Sequence, residues 1–201
     1  MIYSIPNIIT LLRIALIPVF VGIFYLPWGW SSLACAAVFG LAAGTDWLDG
    51  YLARRLEQTS PLGAFLDPVA DKLMVAAALI LLVEADPTPA LAIPVVIIIG
   101  REITVSALRE WMAELGERAT VAVSAIGKVK TVTQMIAITL LIYRDDLWVV
   151  PTYTTGYVLL YVAAVLTLWS MVVYLRAAWP SLNGEKDPAK DEAPAPEPDA
   201  M

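Results

Sequence analysis

The last long apolar stretch of the chain, residues 155–176, reads TGYVLLYVAAVLTLWSMVVYLR. It carries no charged side chain before Arg176 at its end. A helix that crosses a lipid bilayer needs roughly 20 consecutive, mostly apolar residues. The stretch is long enough to meet that requirement, and it therefore predicts a transmembrane helix.

Five further apolar runs precede this one, at roughly 10–26, 32–53, 65–84, 90–109 and 123–143. Hydrophobic residues make up 59% of the chain and charged residues 16%, whereas charged residues make up about 25% of an ordinary soluble domain. The mean hydropathy is +0.72. The sequence therefore predicts an all-α, polytopic membrane protein with six transmembrane helices and no separate soluble catalytic domain.

The two ends of the chain do not fit the pattern of spans. Residues 1–9 are too short to cross a bilayer, and we expect them to form a short N-terminal segment in the membrane interface. Residues 181–201 hold six acidic and two basic side chains and four prolines. This composition cannot bury a core, so we expect a membrane domain over 1–180 and a disordered acidic tail over 181–201.

The basic residues of the connections predict the orientation of the spans. Arg54 and Arg55 follow the second span, and Arg109 and Arg118 follow the fourth, whereas the connections on the other side hold only Arg144 among basic residues. Lysine and arginine are enriched in cytoplasmic connections. We therefore expect both termini and the connections after the second and fourth spans to face the cytoplasm.

The residues that are absent narrow the chemistry. The chain has no histidine, so it offers no imidazole base and no histidine ligand for a metal. Its single cysteine, Cys35, lies in an apolar run and cannot form an intrachain disulfide. We expect Cys35 to be a small buried apolar residue.

Four aspartates flank the connection between the second and third spans. Asp46 and Asp49 are three residues apart, and Asp67 and Asp71 are four apart. On α-helices these spacings correspond to offsets of about 60° and 40°, so each pair lies on one helix face. A hairpin of the two helices would bring the four carboxylates together at one membrane depth.

Charges at membrane depth are costly and usually functional. Four ionised carboxylates need protonation or bound cations, and a set of oxygen ligands favours a hard cation such as Mg²⁺ or Mn²⁺. Two such ions side by side form a known clamp for displacement at phosphorus. The alternative is that these acids form ion pairs with Arg54, Arg55 and Lys72 at a solvated helix end.

Three small residues, Gly50, Ala53 and Gly63, accompany the acids. They leave room for a ligand or its phosphates to approach the backbone. Small residues also occur where membrane helices pack closely, and the residues alone leave this alternative open.

The complete pattern is Asp46-x2-Asp49-Gly50-x2-Ala53-Arg54-x8-Gly63-x3-Asp67-x3-Asp71. It resembles the signature of the CDP-alcohol phosphotransferases at every fixed position. The resemblance implies a bundle of six spans, usually dimeric, that carries two metal ions. It also implies transfer of a phosphatidyl group from CDP-diacylglycerol, a membrane lipid, to an alcohol, with release of CMP.

The same resemblance implies roles for the residues of the pattern. Asp46, Asp49 and Asp67 would bind the metal ions. Asp71 would act as the general base and also contact a metal ion. The residues implied around the cytidine nucleotide are Gly50, Ala53, Arg54 and Gly63.

Basic residues later in the chain bear on the acceptor alcohol. Arg101 and Arg109 are eight residues apart, which places them about 80° apart around a helix, and Lys128 and Lys130 open the fifth span. Buried arginine and lysine side chains suit a phosphorylated acceptor, whereas an acceptor such as serine needs less positive charge. The alternative is that Arg101 pairs with Glu102 or a motif aspartate and that the lysines are interfacial anchors.

Four further segments are similar to bacterial members of this family that use sn-glycerol 3-phosphate. They are IPNIITLLR at 5–13, IGREI at 99–103, SALREW at 106–111 and GKVKT at 127–131. This resemblance implies phosphatidylglycerophosphate as the product, made at the cytoplasmic membrane. It places Asn7, Thr10 and Arg13 near the nucleotide or the metal ions. Their alternative role is a helix cap with a snorkelling arginine.

Several other functions remain open from the sequence. Within the family, the acceptor could instead be serine, inositol phosphate or phosphatidylglycerol. An intramembrane prenyltransferase also presents aspartate pairs to a metal-bound pyrophosphate, but its two acidic motifs normally lie in separate helix pairs. A small cation transporter would carry acids deep in several spans, and here the first, fifth and sixth lack them. We expect no nucleic-acid partner.

Overall fold

The computed structural model describes residues 5–56, 61–114, 125–146 and 151–182. These residues form six α-helices and no strand. In chain order they are α1 (Ile5–Phe24), α2 (Ser31–Leu56), α3 (Pro61–Ala85), α4 (Pro89–Glu114), α5 (Ala125–Tyr143) and α6 (Thr152–Leu182). The predicted all-α fold with six helices is confirmed.

The first helix begins earlier than the sequence suggested. Residues 5–9, which we expected in an interfacial segment, are the first turns of α1 and continue directly into the first apolar run. Pro6 does not interrupt the helix, because a proline in the first turn lacks an N–H that would have no intrahelical partner anyway. At the other end, α6 continues to Leu182, and the predicted tail from residue 183 onward lies outside the described residues.

The apolar helices fit a membrane environment. Within the described ranges, three stretches are long and apolar enough to cross a bilayer, namely Asn7–Phe24, Pro89–Glu114 and Thr152–Arg176. Shorter apolar helical stretches cover Ser31–Thr45 and Val129–Tyr143. Large apolar side chains such as those of Phe65, Val96 and Val165 are about two-thirds exposed on the surface of the bundle. An apolar outer surface of this kind is stable in lipid and costly in water, as expected of a polytopic membrane protein.

The helices pack as a ring in the order α1, α2, α5, α6, α4 and α3, and α3 closes the ring against α1. Contacts of α3 with α2 and α5 cross its interior. The core includes Phe20, Phe39, Leu79 and Ile138, each 1% exposed or less. Cys35 belongs to the same core and is also 1% exposed, which confirms the prediction for the lone thiol.

Helix α6 packs tightly against α5 at Gly156. A Cβ atom at this glycine would lie 2.9 Å from Cγ of Leu141 and 3.2 Å from the carbonyl oxygen of Ala137. Only a glycine fits this approach without a shift of the neighbouring helix.

Asp86 ties the α3–α4 connection to α6 at one end of the bundle. Its Oδ2 accepts hydrogen bonds from the hydroxyls of Tyr153 at 2.5 Å and Tyr157 at 2.6 Å. These two hydrogen bonds, with smaller contributions from Thr88 and Arg144, lower the pKa of Asp86 below its ordinary value.

Candidate active site

The backbone places the aspartate motif at the other end of the bundle, where α2 ends at Leu56 and α3 begins at Pro61. Asp46 and Asp49 belong to the last turns of α2, and Asp67 and Asp71 to the first turns of α3. The side chains of Asp46, Asp49, Gly50, Ala53 and Arg54 lie outside the described residues, so their contacts remain predictions.

Helix α1 contributes a buried polar face to this end of the bundle. Asn7, Thr10 and Arg13 are 1%, 0% and 2% exposed, and their spacing of three residues places them along one helix face. The hydroxyl of Thr10 donates a hydrogen bond to Oδ1 of Asp67. The structure therefore brings one predicted nucleotide-site residue into contact with a predicted metal ligand.

Arg13 lies close to the fourth aspartate of the motif. Arg13 and Asp71 line a small cavity together with Phe39 and Ala42 of α2. Gly63, near the start of α3, is buried. The polar face of α1 is thus adjacent to the described half of the motif. A role as helix cap alone would not require these side chains to lie beside the aspartates.

A larger cavity, of about 740 Å³, also has Asp71 in its wall. Helices α3, α4, α5 and α6 all contribute to it. Its described wall contains the four basic residues Lys72, Arg101, Arg109 and Lys130 and the three acidic residues Asp71, Glu102 and Glu110. The size is typical of a pocket for a small molecule, and four positive and three negative side chains give the wall a formal net charge of +1.

Arg101 is one of the two buried cations of this wall and is 9% exposed. Its Nη1 donates to Glu102 at 2.9 Å and its Nη2 donates to Oγ of Ser170 at 3.1 Å. Its Nε is buried and has no hydrogen-bond partner among the described residues. The predicted alternative pairing of Arg101 with Glu102 is therefore present, but it does not use all the donors of the guanidinium.

Lys130 of α5 is 7% exposed, and its Nζ lies 3.9 Å from the same Glu102 carboxylate. The Glu102 carboxylate, which is 39% exposed, is thus the shared ion-pair partner of two buried cations. Lys72 of α3 also belongs to this wall, and its Nζ donates to Oγ of Ser106 at 2.5 Å. The cavity therefore has more positive charge close to Glu102 than that carboxylate can neutralise.

Arg109 reaches the cavity from α4 as well, as its 80° offset from Arg101 predicted. Its Nη2 donates to the hydroxyl of Tyr174 at 2.7 Å. Tyr174 and Ser170 also line this cavity, although the motifs and charge patterns of the sequence did not point to them. A signal was available, because Thr167, Ser170 and Tyr174 recur at helical spacing within an otherwise apolar span.

The structure thus brings Arg101, Arg109 and Lys130 together in one cavity with Asp71. The side chain of Lys128, the fourth basic residue proposed for the acceptor, lies outside the described residues. Its neighbour Gly127 lines the cavity.

The described residues do not contain a complete set of metal ligands. No group of three or more His, Cys, Asp or Glu side chains that could hold a metal ion occurs among them. Asp67 and Asp71 supply carboxylate oxygens, and such oxygens fit a hard divalent cation. A full set would require the aspartates of α2.

Known proteins are similar to this chain over most of its length. A relative from Pseudomonas fluorescens, "CDP-diacylglycerol--glycerol-3-phosphate 3-phosphatidyltransferase", is 55% identical over 190 residues, which cover 92% of this chain and 95% of the relative. Relatives with the same name from Escherichia coli K12 and Salmonella typhimurium LT2 are 54% and 53% identical over 176 residues. Each alignment covers 88% of this chain and 95% of the relative.

A family model described as CDP-alcohol phosphatidyltransferase matches residues 3–169. The match includes the whole aspartate motif and every cavity residue of α3, α4 and α5 named above. With this match, and with relatives more than half identical over nearly the entire chain, the protein belongs to the CDP-alcohol phosphatidyltransferase family.

Proposed function

We propose that this protein transfers the phosphatidyl group of CDP-diacylglycerol to sn-glycerol 3-phosphate, giving phosphatidylglycerophosphate and CMP. The observation that carries the proposal is the cavity in which Arg101, Arg109 and Lys130 meet beside Asp71. The names of the relatives support the same donor and acceptor.

The cavity suits an acceptor with a phosphate at one end and a hydroxyl at the other. Arginine and lysine are the usual partners of phosphate, and arginine can bind it through two N–H groups. Arg101 still has a buried donor at Nε that no described residue accepts. With the phosphate held by these cations, the free hydroxyl of the acceptor would face Asp71.

The positive charge of the cavity wall also distinguishes between the candidate acceptors. Serine carries no phosphate to neutralise the buried cations, and charges left buried without a partner are costly. Phosphatidylglycerol would bring its two acyl chains with the headgroup. Inositol phosphate shares the phosphate of glycerol 3-phosphate but has a bulkier ring, so it is the acceptor that a direct assay has to exclude.

The donor would bind on the side of Asp71 that faces α1 and α2. Members of this family generally use divalent metal ions, and the carboxylates proposed to hold two Mg²⁺ or Mn²⁺ ions are Asp46, Asp49, Asp67 and Asp71. When bound, such ions neutralise the charge that develops on the phosphoryl oxygens. The residues proposed to surround the nucleotide are Asn7, Thr10, Gly50, Ala53, Arg54 and Gly63.

Of the described residues that line both cavities, Asp71 is the ionisable one, which supports its role as general base. It would accept the proton of the 1-hydroxyl of glycerol 3-phosphate. The freed oxygen would form a bond to the phosphorus that carries diacylglycerol, and the bond from that phosphorus to CMP would break. Because an ordinary aspartate has a pKa near 3.9, the role requires that the pKa of Asp71 be raised or that of the alcohol be lowered.

The proposed location is the cytoplasmic membrane of a bacterium, with several spans and the active site on the cytoplasmic side. The bacterial relatives support a bacterial location, and the arginines near the motif end of the bundle support the cytoplasmic orientation. We also propose a homodimer, and a membrane domain over 1–180 followed by a solvated acidic tail over 181–201.

The test is a transfer assay with purified protein, CDP-diacylglycerol and four separate alcohols, namely glycerol 3-phosphate, serine, inositol phosphate and phosphatidylglycerol. We expect phosphatidylglycerophosphate and CMP with the first alcohol only, and no release of CMP after divalent ions are chelated. Turnover with another alcohol alone would refute the acceptor. Transfer from an isoprenyl pyrophosphate, or ion transport without CMP release, would refute the reaction class.

A further inference from the structure

We propose that Tyr174 of α6 is a positioning residue that holds Arg109 and Arg101 in place for the phosphate of the acceptor. This inference rests on the proposed function, since it concerns how the same cavity binds a phosphorylated alcohol. Tyr174 belongs to neither the aspartate motif nor the segments that resemble glycerol-3-phosphate-dependent relatives.

Tyr174 contacts both arginines at once. Its hydroxyl accepts a hydrogen bond of 2.7 Å from Nη2 of Arg109. Its ring centre lies 5.0 Å from Cζ of Arg109 and 5.8 Å from Cζ of Arg101. Both distances are within the range in which an aromatic ring attracts a cation.

For Arg109 this contact is the main restraint on its position. The hydrogen bond to Tyr174 is the one that Arg109 makes within the described residues, and its side chain is otherwise exposed. A guanidinium has five N–H groups, so most of its donors stay available to a ligand. An unrestrained arginine would have to lose its rotamer freedom each time an acceptor binds.

The chemistry of the restraint matters as much as its geometry. A carboxylate in the place of Tyr174 would also hold the arginines, but it would cancel positive charge that the phosphate needs. A tyrosine hydroxyl and ring are neutral and leave the charge of both guanidiniums in place. Ser170, one helical turn earlier, does the same for Nη2 of Arg101.

The test uses substitutions at Tyr174 in the full-length enzyme. Tyr174→Phe keeps the ring and removes the hydroxyl, and we expect the KM for glycerol 3-phosphate to rise roughly 3- to 10-fold, the effect of losing one hydrogen bond of ordinary net strength. Tyr174→Leu removes the ring as well and should raise this KM by more, on the order of 10- to 50-fold. The KM for CDP-diacylglycerol and kcat should stay within about twofold of wild type. A residue that only positions the acceptor site weakens binding of the acceptor equally in the ground state and the transition state, which raises the KM for the acceptor and leaves kcat unchanged.

A second pair of variants tests the argument about charge. Tyr174→Gln offers a neutral oxygen to Arg109, whereas Tyr174→Glu offers a charged one of similar size. We expect a higher KM for glycerol 3-phosphate in the Glu variant than in the Gln variant. An equal or lower KM in the Glu variant would overturn the argument that a neutral partner is needed.

Tyr161→Phe is the matched control. It removes another tyrosine hydroxyl of α6, one that donates to the carbonyl oxygen of Ala90 at 2.8 Å and does not line the large cavity. We expect unchanged kinetics in this variant. An unchanged KM in Tyr174→Leu, or equal changes in the KM values of both substrates, would overturn the inference, whereas a wild-type enzyme that ignores glycerol 3-phosphate would refute the proposed function itself. If the Leu variant does not fold, the Phe, Gln and Glu variants decide the question.

Discussion

The hydroxyl of Thr10 donates a hydrogen bond to the carboxylate of Asp67, although the two residues lie 57 positions apart in the chain. Thr10 is fully buried, whereas Asp67 is partly exposed. A neutral donor held in place by the core fixes the orientation of the carboxylate that accepts its hydrogen bond. Hydrogen bonds of this kind orient metal ligands in many proteins, and α1 therefore acts on the proposed metal site without supplying a carboxylate.

The first prediction concerns this hydrogen bond. Thr10→Val keeps the shape of the side chain and removes the donor, so Asp67 loses the restraint on its orientation. We expect the Mg²⁺ or Mn²⁺ concentration needed for half-maximal transfer to rise about 10-fold or more. The measurement is the rate of CMP release as a function of metal concentration.

Thr139→Val is the control for this experiment. Thr139 donates to the carbonyl oxygen of Met135 within α5 and lies outside both cavities. Its metal dependence should match that of wild type. Equal metal dependence of the Thr10 and Thr139 variants would show that the hydrogen bond to Asp67 does not serve the metal site.

The second prediction concerns the base. Asp71→Asn preserves the size of the side chain but cannot accept a proton at neutral pH. We expect kcat to fall by a factor of about 10² to 10⁴, the range attributed to general base catalysis, with little loss of CDP-diacylglycerol binding. Single-turnover assays and equilibrium binding of labelled CDP-diacylglycerol would separate the two effects. Turnover close to that of wild type would remove Asp71 from the role of base.

The sequence predicted those features that depend on local spacing. Six apolar runs gave six helices, because the length of an apolar run is fixed by the thickness of the bilayer. Arg101 and Arg109 reach one cavity because their separation along a single helix determines their angle. The predicted interfacial segment was wrong for residues 5–9, which are helical, because a proline in the first turn, here Pro6, is compatible with a helix.

The sequence could not predict contacts between distant helices. The neighbours of α1 are α2 and α3, and the neighbours of α6 are α4 and α5. Hydropathy does not determine this order, because every span is apolar on several sides. The pairings of Thr10 with Asp67 and of Arg109 with Tyr174 both follow from helix order. Residue patterns therefore predicted several residues of the site, but not the hydrogen bonds that those residues make with other helices.

The third prediction concerns Lys130. This buried lysine shares Glu102 with Arg101, and Lys130→Gln removes one positive charge from the proposed phosphate site. We expect the KM for glycerol 3-phosphate to rise about 10-fold or more, as expected for the loss of a charged hydrogen-bonding partner. The KM for CDP-diacylglycerol should change far less. Arg144→Gln, which removes a positive charge at the opposite end of the bundle, should leave both KM values unchanged, and a similar response of the two variants would argue against a specific phosphate site.

The fourth prediction concerns the contact between α5 and α6. Gly156→Ala places a methyl group 2.9 Å from Cγ of Leu141, and overpacking of this kind typically costs about 1–3 kcal/mol. We expect a lower Tm in detergent. Gly40→Ala adds the same methyl group to α2 where no heavy atom lies within 4 Å, and it should leave the Tm unchanged or raise it slightly, because alanine favours helix more than glycine does. An equal Tm for the two variants would contradict the close approach of the helices.

The last prediction concerns Asp86 and pH. Hydrogen bonds from Tyr153 and Tyr157 lower the pKa of Asp86 in the folded protein below its ordinary value of 3.8. A carboxyl group whose pKa is lowered by folding stabilises the folded state fully above its unfolded pKa, and this stabilisation is lost as the pH falls through the folded pKa. We therefore expect Asp86→Asn to lower the Tm by a constant amount between about pH 5 and 8 and the difference from wild type to shrink below about pH 4. Thermal unfolding of both proteins across this range would test the expectation, and a difference that grows as the pH falls would contradict the sign of the shift.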